Sequence, residues 1–332
     1  MAEGNGGFPV PAVFAPYVGS SQMVRIVVVA NPSASQFTGG AHRTVMSILG
    51  KVGQVESVWP GSTSEAEERA AQAAADGAQV VVAMGGDGIV HHVAQGVVGT
   101  DAALGVIPAG TTNVIARLLG LPLKPARAAR LLIEPDVPAV AMGTARMTLT
   151  RGSVETTHHA VFAGGFGLDA AVVLEADKDP YRKYRFGSVH YARTALGVAL
   201  GQFAGREPNV TVNLGAGEQL VSTALVQFRE VYTYFGPFPL RVSPEAPDPM
   251  TLLTVSSLKR RRIPRIVSTL LRNGDLGSIP GLTVFPRQDR VEVTAHPPAA
   301  AQADGESLGM VDGGIVEWAP ESLRVIAPQV GP

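Results

Sequence analysis

The sequence predicts an α/β domain built on a parallel sheet, followed by an antiparallel β-rich domain of sandwich type. Three observations predict it. Over residues 22–142, apolar β-branched runs alternate with helix-forming segments, the pattern of βαβ units joined by right-handed crossovers. Two glycine-rich turns in that stretch stand where a strand stops and a helix starts, the edge at which open α/β sheets place their ligands. Beyond about residue 140, short strand-like runs are separated by Gly, Pro and polar clusters.

The elements follow in order. Residues 1–21 are Gly-, Pro- and Ser-rich without a basic start or a long apolar stretch, and read as a disordered leader rather than a signal peptide. Arg25–Ala30 is a continuous apolar strand ending at Asn31-Pro32. A helix over 41–51 and a short strand Val55–Trp59 come next. Glu65–Asp76 is strongly helix-forming, with acids near its start and Gly77 just past its end. Strand 79–84 meets the turn Gly85-Gly86-Asp87-Gly88, and a helix runs on to about Val98. Strand Ala103–Ile107 meets the second turn, Ala109–Asn113, and the helix Val114–Leu119 stops at Gly120. Over 143–316 the strand candidates are Met142–Leu149, His158–Phe162, Val210–Leu214, Ser222–Val226, Leu252–Val255 and Arg290–Thr294, with one helical insert over Phe186–Phe203. Strand-like pairs within Gly314–Ile326 suggest that the segment 317–330 returns to the first domain.

Bulk composition narrows the function. With 332 residues, two domains are the better expectation, and 45% apolar with 17% charged residues describes an ordinary globular protein. A net charge of −1 argues against nucleic acid as a partner. The chain has no cysteine, which excludes disulfides, thiolate metal sites and cysteine nucleophiles and fits a cytoplasmic location. Apolar tracts are broken before the roughly 18 residues that a membrane span needs, so membrane contact should be peripheral.

The turn at Gly85–Gly88 carries the most chemistry. Glycines let backbone approach a ligand closely, and the helix that follows offers N–H groups and a positive dipole end to phosphate. Asp87 is wrong for bare phosphate but right for a site that includes a metal ion. Tight packing of the turn is the competing explanation. Near the C-terminus, Asp304 and Glu306 flank Gly305; an extended segment would aim both carboxylates at one cleft, whereas Asp304-Gly305 also fits a hairpin turn. Asn113 could cap a helix. Adjacent His91 and His92 face different directions on a helix, which argues against a metal pair. His158 and His159 read as structural. Lys259–Arg262 with Arg265 fits a solvated face or contact with anionic lipid headgroups.

Asn31-Pro32-Ser33-Ala34-Ser35, Gly85–Gly88, Pro108–Asn113 and Asp304-Gly305-Glu306 occur in an order that resembles the diacylglycerol kinase catalytic-domain family, which includes bacterial lipid kinases and sphingosine kinases. Gly165–Asp169, Lys183–Tyr191 and Pro244-Glu245-Ala246 extend the resemblance over about residues 24–328. It implies a phosphofructokinase-like first domain that binds ATP through Asn31, Pro32, Ser33, Ala34, Ser35, Gly85, Gly86, Asp87, Gly88, Ile89, Val90, His91, Gly110, Thr111 and Asn113. It implies Mg²⁺ organised by Asp87 through water, and a β-rich second domain for the lipid, with the active site in the cleft between them. Glu306, slightly favoured, or Asp304 would take the proton of the lipid hydroxyl, and the other would position Mg²⁺ or water. The implied partner is a lipid at the inner membrane face, and a homodimer is compatible with the family. A small-molecule kinase resembling NAD kinases and a non-catalytic nucleotide- or lipid-binding protein are the rival expectations.

Several positions depart from the family pattern. Ile89 stands where a threonine hydroxyl is usual, and Val114 where bacterial members carry Asp. Ala34-Ser35-Gln36 replaces a more glycine-rich stretch. Pro249-Met250-Thr251, with Asp248 one place early, replaces an Asp-Asp-Gly that holds an accessory Mg²⁺, so that site is expected to be lost or rebuilt.

Overall fold

A computed structural model describes residues 24–176, 194–195, 197–203, 205, 207–215 and 217–328. The expected leader 1–21 and the Lys183–Tyr191 motif lie outside the described residues. Of the helical insert, residues 194–195 and 197–203 are described: 194–195 and 197–198 are α-helical, and Ala199–Phe203 forms a π-helical turn. The chain divides into two compact units, residues up to Met142 together with those from Leu323 onward, and Gly143–Ser322.

In the first unit, strands β1 (Arg25–Ala30), β2 (Gln54–Val58), β3 (Val80–Gly85) and β4 (Ala103–Pro108) are all parallel, in the order β2-β1-β3-β4. Val27–Ala30 and all of β3 and β4 are buried, which is why these runs are apolar without alternation. Helices α1 (Gly39–Leu49), α2 (Thr63–Ala75), α3 (Asp87–Val97), α4 (Val114–Leu118) and α5 (Pro125–Leu132) provide the connections. Thr38 and Ser62 cap α1 and α2 with side-chain hydrogen bonds of 3.1 Å each. A core that includes Ile26, Val28, Val82, Met84, Ile107 and Leu132 lies against the sheet. The chain re-enters this unit at the end, where Arg324 and Val325 pair in parallel with Ala103 and Leu104.

The second unit is antiparallel. Strands β5 (Ala139–Arg151, of which Gly143 onward belongs here) and β6 (Val154–Ala160) form a hairpin. β7 (Ala163–Gly167) leads into helix α6 (Leu168–Ala176). Then come β8 (Val210–Asn213), β9 (Glu218–Val221), β10 (Thr223–Gln227), the β11–β12 hairpin (Thr233–Phe235, Phe238–Leu240) and β13 (Met250–Val255). Helix α7 (Ile263–Leu271), β14 (Leu282–Gln288), β15 (Arg290–Ala303) and β16 (Glu306–Ile326) complete it. The sheet runs β14-β13-β10-β7-β15-β16. β15 serves two neighbours along its length: Glu292–Ala295 pair with β8, and Ala301–Ala303 pair with β7. One register shift, between Thr294 and Ala299 and spanning Pro297-Pro298, separates these halves, and a second lies between Ala301 and Gln302. Phe166, Met147, Leu149, Val226, Met250 and Val316 are among the buried residues of its core.

The strand expected over His158–Phe162 is cut. β6 ends at Ala160 and β7 begins at Ala163, because the intervening N–H groups have a side-chain acceptor instead of a ladder partner.

Candidate functional site

Three loops of the first unit gather at the C-terminal edge of its parallel sheet. β1 runs into Asn31, whose N–H bonds to the Met84 carbonyl at 2.9 Å, while its side-chain oxygen accepts from Ser33 N–H at 2.9 Å. This Asx turn shapes the Asn31–Ser35 loop. Gln36 N–H donates to the Ala109 carbonyl at 2.8 Å, and the Ser35 and Thr111 hydroxyls are hydrogen-bonded at 2.9 Å. The first and third loops are thus tied together. Pro32 and Ser33 are exposed and Ala34 is half-buried.

The two glycine turns pack backbone on backbone. A Cβ on Gly110 would sit 2.5 Å from the Gly86 Cα, and one on Gly85 would sit 2.6 Å from Ile89 Cγ2. Glycine at 85 and 110 is therefore required by packing of the turns themselves. At Gly86 a Cβ would make only ordinary contact, 3.5 Å from the Gly110 Cα. Helix α3 starts there without a side-chain cap. Gly88 follows in its first turn, and Ile89 and Val90 turn inward.

Asn113 takes the left-handed conformation with φ 52°, which asparagine tolerates. Its amide clamps the turn, accepting from Gly110 N–H at 2.9 Å and donating to Gly110 O at 2.8 Å. The expected side-chain cap on α4 comes instead from Asp87, whose Oδ1 accepts from Ile115 N–H at 3.0 Å. Asp87 thereby locks the first glycine turn to the helix after the second. His91 is only 1% exposed, within the buried phase of α3 and close enough to Glu67 of α2 for their charges to interact. The expected contact of His91 with ATP is not what this geometry favours, because the ring is already enclosed.

One group at this edge escaped the sequence reading. Phe37, His42 and Trp59 form an aromatic cluster, with the Trp59 ring 5.5 Å from Phe37 and 4.5 Å from His42, and Trp59 remains 47% exposed.

In the second unit the Asp304–Glu306 segment is a hairpin turn. Ala303 pairs with Glu306, and both intervening residues have positive φ, 54° at Asp304 and 80° at Gly305. The extended segment that would aim both carboxylates the same way is not formed. Asp304 is 3% exposed, and its carboxylate accepts from Val161 N–H at 2.7 and 2.9 Å, Phe162 N–H at 2.9 Å and Ala163 N–H at 3.3 Å. Glu306, at the start of β16, stays half-buried.

Behind the turn lies a polar network with no local sequence signature. Gly305 N–H donates to Gln302 Oε1 at 2.9 Å, and Gln302 Nε2 donates to Asp169 Oδ2 at 2.7 Å. The Tyr232 hydroxyl donates to the same Asp169 oxygen. Burial raises the Asp169 pKa, and the hydrogen bonds from Tyr232 and Gln302 only partly oppose it. Arg229 donates to the carbonyls of Val161 and Gly143 and lies 5.7 Å from the centre of the Trp318 ring. Its burial brings the guanidinium down to about 10, against the pull of the Asp304 charge. It stays protonated at neutral pH.

Among the described residues no group of three or more His, Asp or Glu could hold a metal. A single carboxylate does suit Mg²⁺ that arrives on a nucleotide, since that ion keeps several waters and phosphate oxygens as ligands. Where the family holds its accessory ion, Met250 opens β13, and Met250 and Thr251 are buried in the sheet.

A parallel sheet with glycine turns gathered at its C-terminal edge is the build of a nucleotide-binding α/β domain. Residues 25–145 match the diacylglycerol kinase catalytic domain model. A diacylglycerol kinase of Mycobacterium tuberculosis (strain CDC 1551 / Oshkosh) is 32% identical over 122 residues, covering 36% of this chain and 40% of the relative. The match thus spans about two fifths of that protein. A Xanthomonas campestris pv. campestris (strain 8004) protein named Probable lipid kinase YegS-like is 25% identical over 296 residues, 80% of this chain and 84% of its own. A crystal structure of a diacylglycerol kinase from Bacillus anthracis str. Sterne superposes with a TM-score of 0.64 over 93% of this chain and 98% of its own, at 16% identity. The two chains share the fold.

Proposed function

We propose that the chain is a lipid kinase that transfers the γ-phosphate of MgATP to a hydroxyl of a diacylglycerol-like or other long-chain lipid. The observation that carries this reading is the three-loop cluster of Asn31–Ser35, Gly85–Asp87 and Gly110–Asn113, set at the sheet edge inside the segment that matches the kinase domain. Backbone N–H groups at the start of α3 suit phosphate oxygens, and Asp87 suits the water shell of the Mg²⁺ that travels with ATP. Thr111 and Ser35 offer hydroxyls beside them.

In the reaction a lipid oxygen forms a bond to Pγ, the bond from Pγ to the bridging oxygen breaks, and ADP leaves. The lipid hydroxyl proton passes to a base. Glu306 is the group we assign, since the Asp304 carboxylate is committed to the 161–163 amides. Asp304, Gln302 and Asp169 then act as positioning residues for the turn that carries Glu306. Phosphoryl transfer asks chiefly for positioning and charge neutralisation; the turn would supply the positioning, and Mg²⁺ held through Asp87 would supply the neutralisation. The partner is a lipid at the membrane surface, met from the cytoplasmic side. No described helix is long and apolar enough to cross a membrane.

The test is transfer of labelled γ-phosphate from MgATP into an extracted lipid mixture, with Glu306→Gln beside the native chain. Label in a lipid that disappears with the variant supports the kinase and supplies its product for identification. ATP binding without any labelled lipid would favour a non-catalytic nucleotide-binding protein. The buried alkyl group of Ile89, in place of a hydroxyl, is the observation behind that second reading.

A further inference from the structure

Helix α7 carries two apolar stripes where a surface helix needs one. Ile263, Ile266 and Leu270 face the core of the second unit. Pro264, Val267 and Leu271 repeat at the same helical interval on another face and stay exposed, Val267 at 45% and Leu271 at 49%. They border a shallow groove of about 540 Å³ together with Ser268 and Arg272. The β11–β12 hairpin lies beside this helix, and its tip, Phe235-Gly236-Pro237-Phe238, is exposed, with Phe238 at 61%. Two elements distant in sequence therefore present bulky apolar groups in one region.

Charge decides what would cover them. Residues 259–272 contain five arginines and one lysine and no acid, in a chain whose net charge is −1. Arg265 and the C-capping Arg272 fall on one side of the helix, about a quarter turn from the apolar stripe, and Arg261 stands in the 3-10 turn that leads into it; all three are exposed. No ion pair joins them to an acid among the described residues. A twofold contact between copies of the chain through this face would bring arginines against arginines. An apolar stripe edged by uncompensated cations matches instead the boundary between headgroups and acyl chains in an anionic leaflet.

We propose that α7 and the β11–β12 tip form a docking surface for a bilayer containing anionic lipids. Val267, Leu271 and Phe238 enter the acyl boundary while Arg261, Arg265 and Arg272 meet the headgroups. The proposal deepens the lipid-kinase reading by naming the face that meets the membrane, but its test needs neither nucleotide nor turnover.

The full chain is sedimented with vesicles of phosphatidylcholine alone and of phosphatidylcholine mixed with phosphatidylglycerol. The native chain should bind the mixed vesicles, more weakly as salt rises, and should leave phosphatidylcholine alone unbound. Arg261→Ala/Arg265→Ala should weaken binding about thirtyfold, at roughly fivefold per basic residue. Phe238→Ser/Leu271→Ser should weaken it by roughly tenfold. Arg127→Ala/Arg130→Ala, on the exposed side of α5, should bind as the native chain does. Absence of native binding, or an equal loss in the α5 variant, would overturn the proposal. So would self-association that disappears in Phe238→Ser/Leu271→Ser while vesicle binding persists, which would assign the face to a second copy. Label transfer to a lipid in detergent micelles is measured in parallel. Vesicle binding lost with transfer intact removes only the docking surface, and the converse removes only the kinase.

Discussion

Replacing Glu306 by glutamine should abolish lipid phosphorylation while MgATP binding and the melting temperature stay as in the native chain. The side chain is half-buried at the start of a strand and keeps its shape in the variant. Asp304→Ala should instead behave as a folding lesion, losing roughly 3–5 kcal/mol, because it leaves amide donors of 161–163 and the Arg229 charge buried without their anion. Denaturant titration beside the label assay separates the two effects. Equal stability in both variants would show that the 161–163 amides do not depend on Asp304. Asp169 offers a pH test. Burial lifts its pKa above the usual 3.8, so the folded state holds this proton more tightly than the unfolded chain. Stability from this group is therefore present below 3.8 and lost as pH rises through the elevated folded value. Asp169→Asn keeps one oxygen for Tyr232 and Gln302 and should flatten that decline, as urea midpoints measured across the acidic and neutral range would reveal.

Among the elements, the two glycine turns carry the sharpest expectation. Gly110→Ala places a methyl 2.5 Å from the Gly86 Cα, and neither turn can yield without moving Asn113 and Asp87. A loss of about 1–3 kcal/mol is expected, with ATP affinity falling alongside, measured by denaturation and by emission from exposed Trp59 on the same edge. These turns were legible in the sequence because their grammar is local: an apolar run, then glycine, then a helix pattern. The residues around 304 were not. Asp304-Gly305 fits a hairpin and an extended segment equally well, and the choice is made by amides at 161–163, some 140 positions away. Arg229, Tyr232 and Gln302 likewise have no neighbouring pattern to announce them. The burial of His91 was not legible either, because the phase of α3, which turns that position toward α2, is set by packing. Helix α7 was overlooked although Pro264 in its first turn was a usable start signal.

At the scale of the molecule, the parallel sheet is completed by its most distant contributor in sequence. Arg324 and Val325 cover the edge of β4, with more than two hundred residues between them. Until those last residues are available, β4 presents an unpaired row of backbone donors and acceptors to solvent. A fragment ending at Met142 keeps every glycine turn but lacks that cover, so it should be less stable and more prone to associate than the full chain, as light scattering of the two at equal concentration would test. During synthesis the consequence is one of timing. The ribosome releases β1 to β4 more than two hundred residues ahead of the sealing strand, so the nascent parallel sheet must wait with one flank open. A cell making this protein would be expected to shield that flank with a chaperone until the sealing strand emerges.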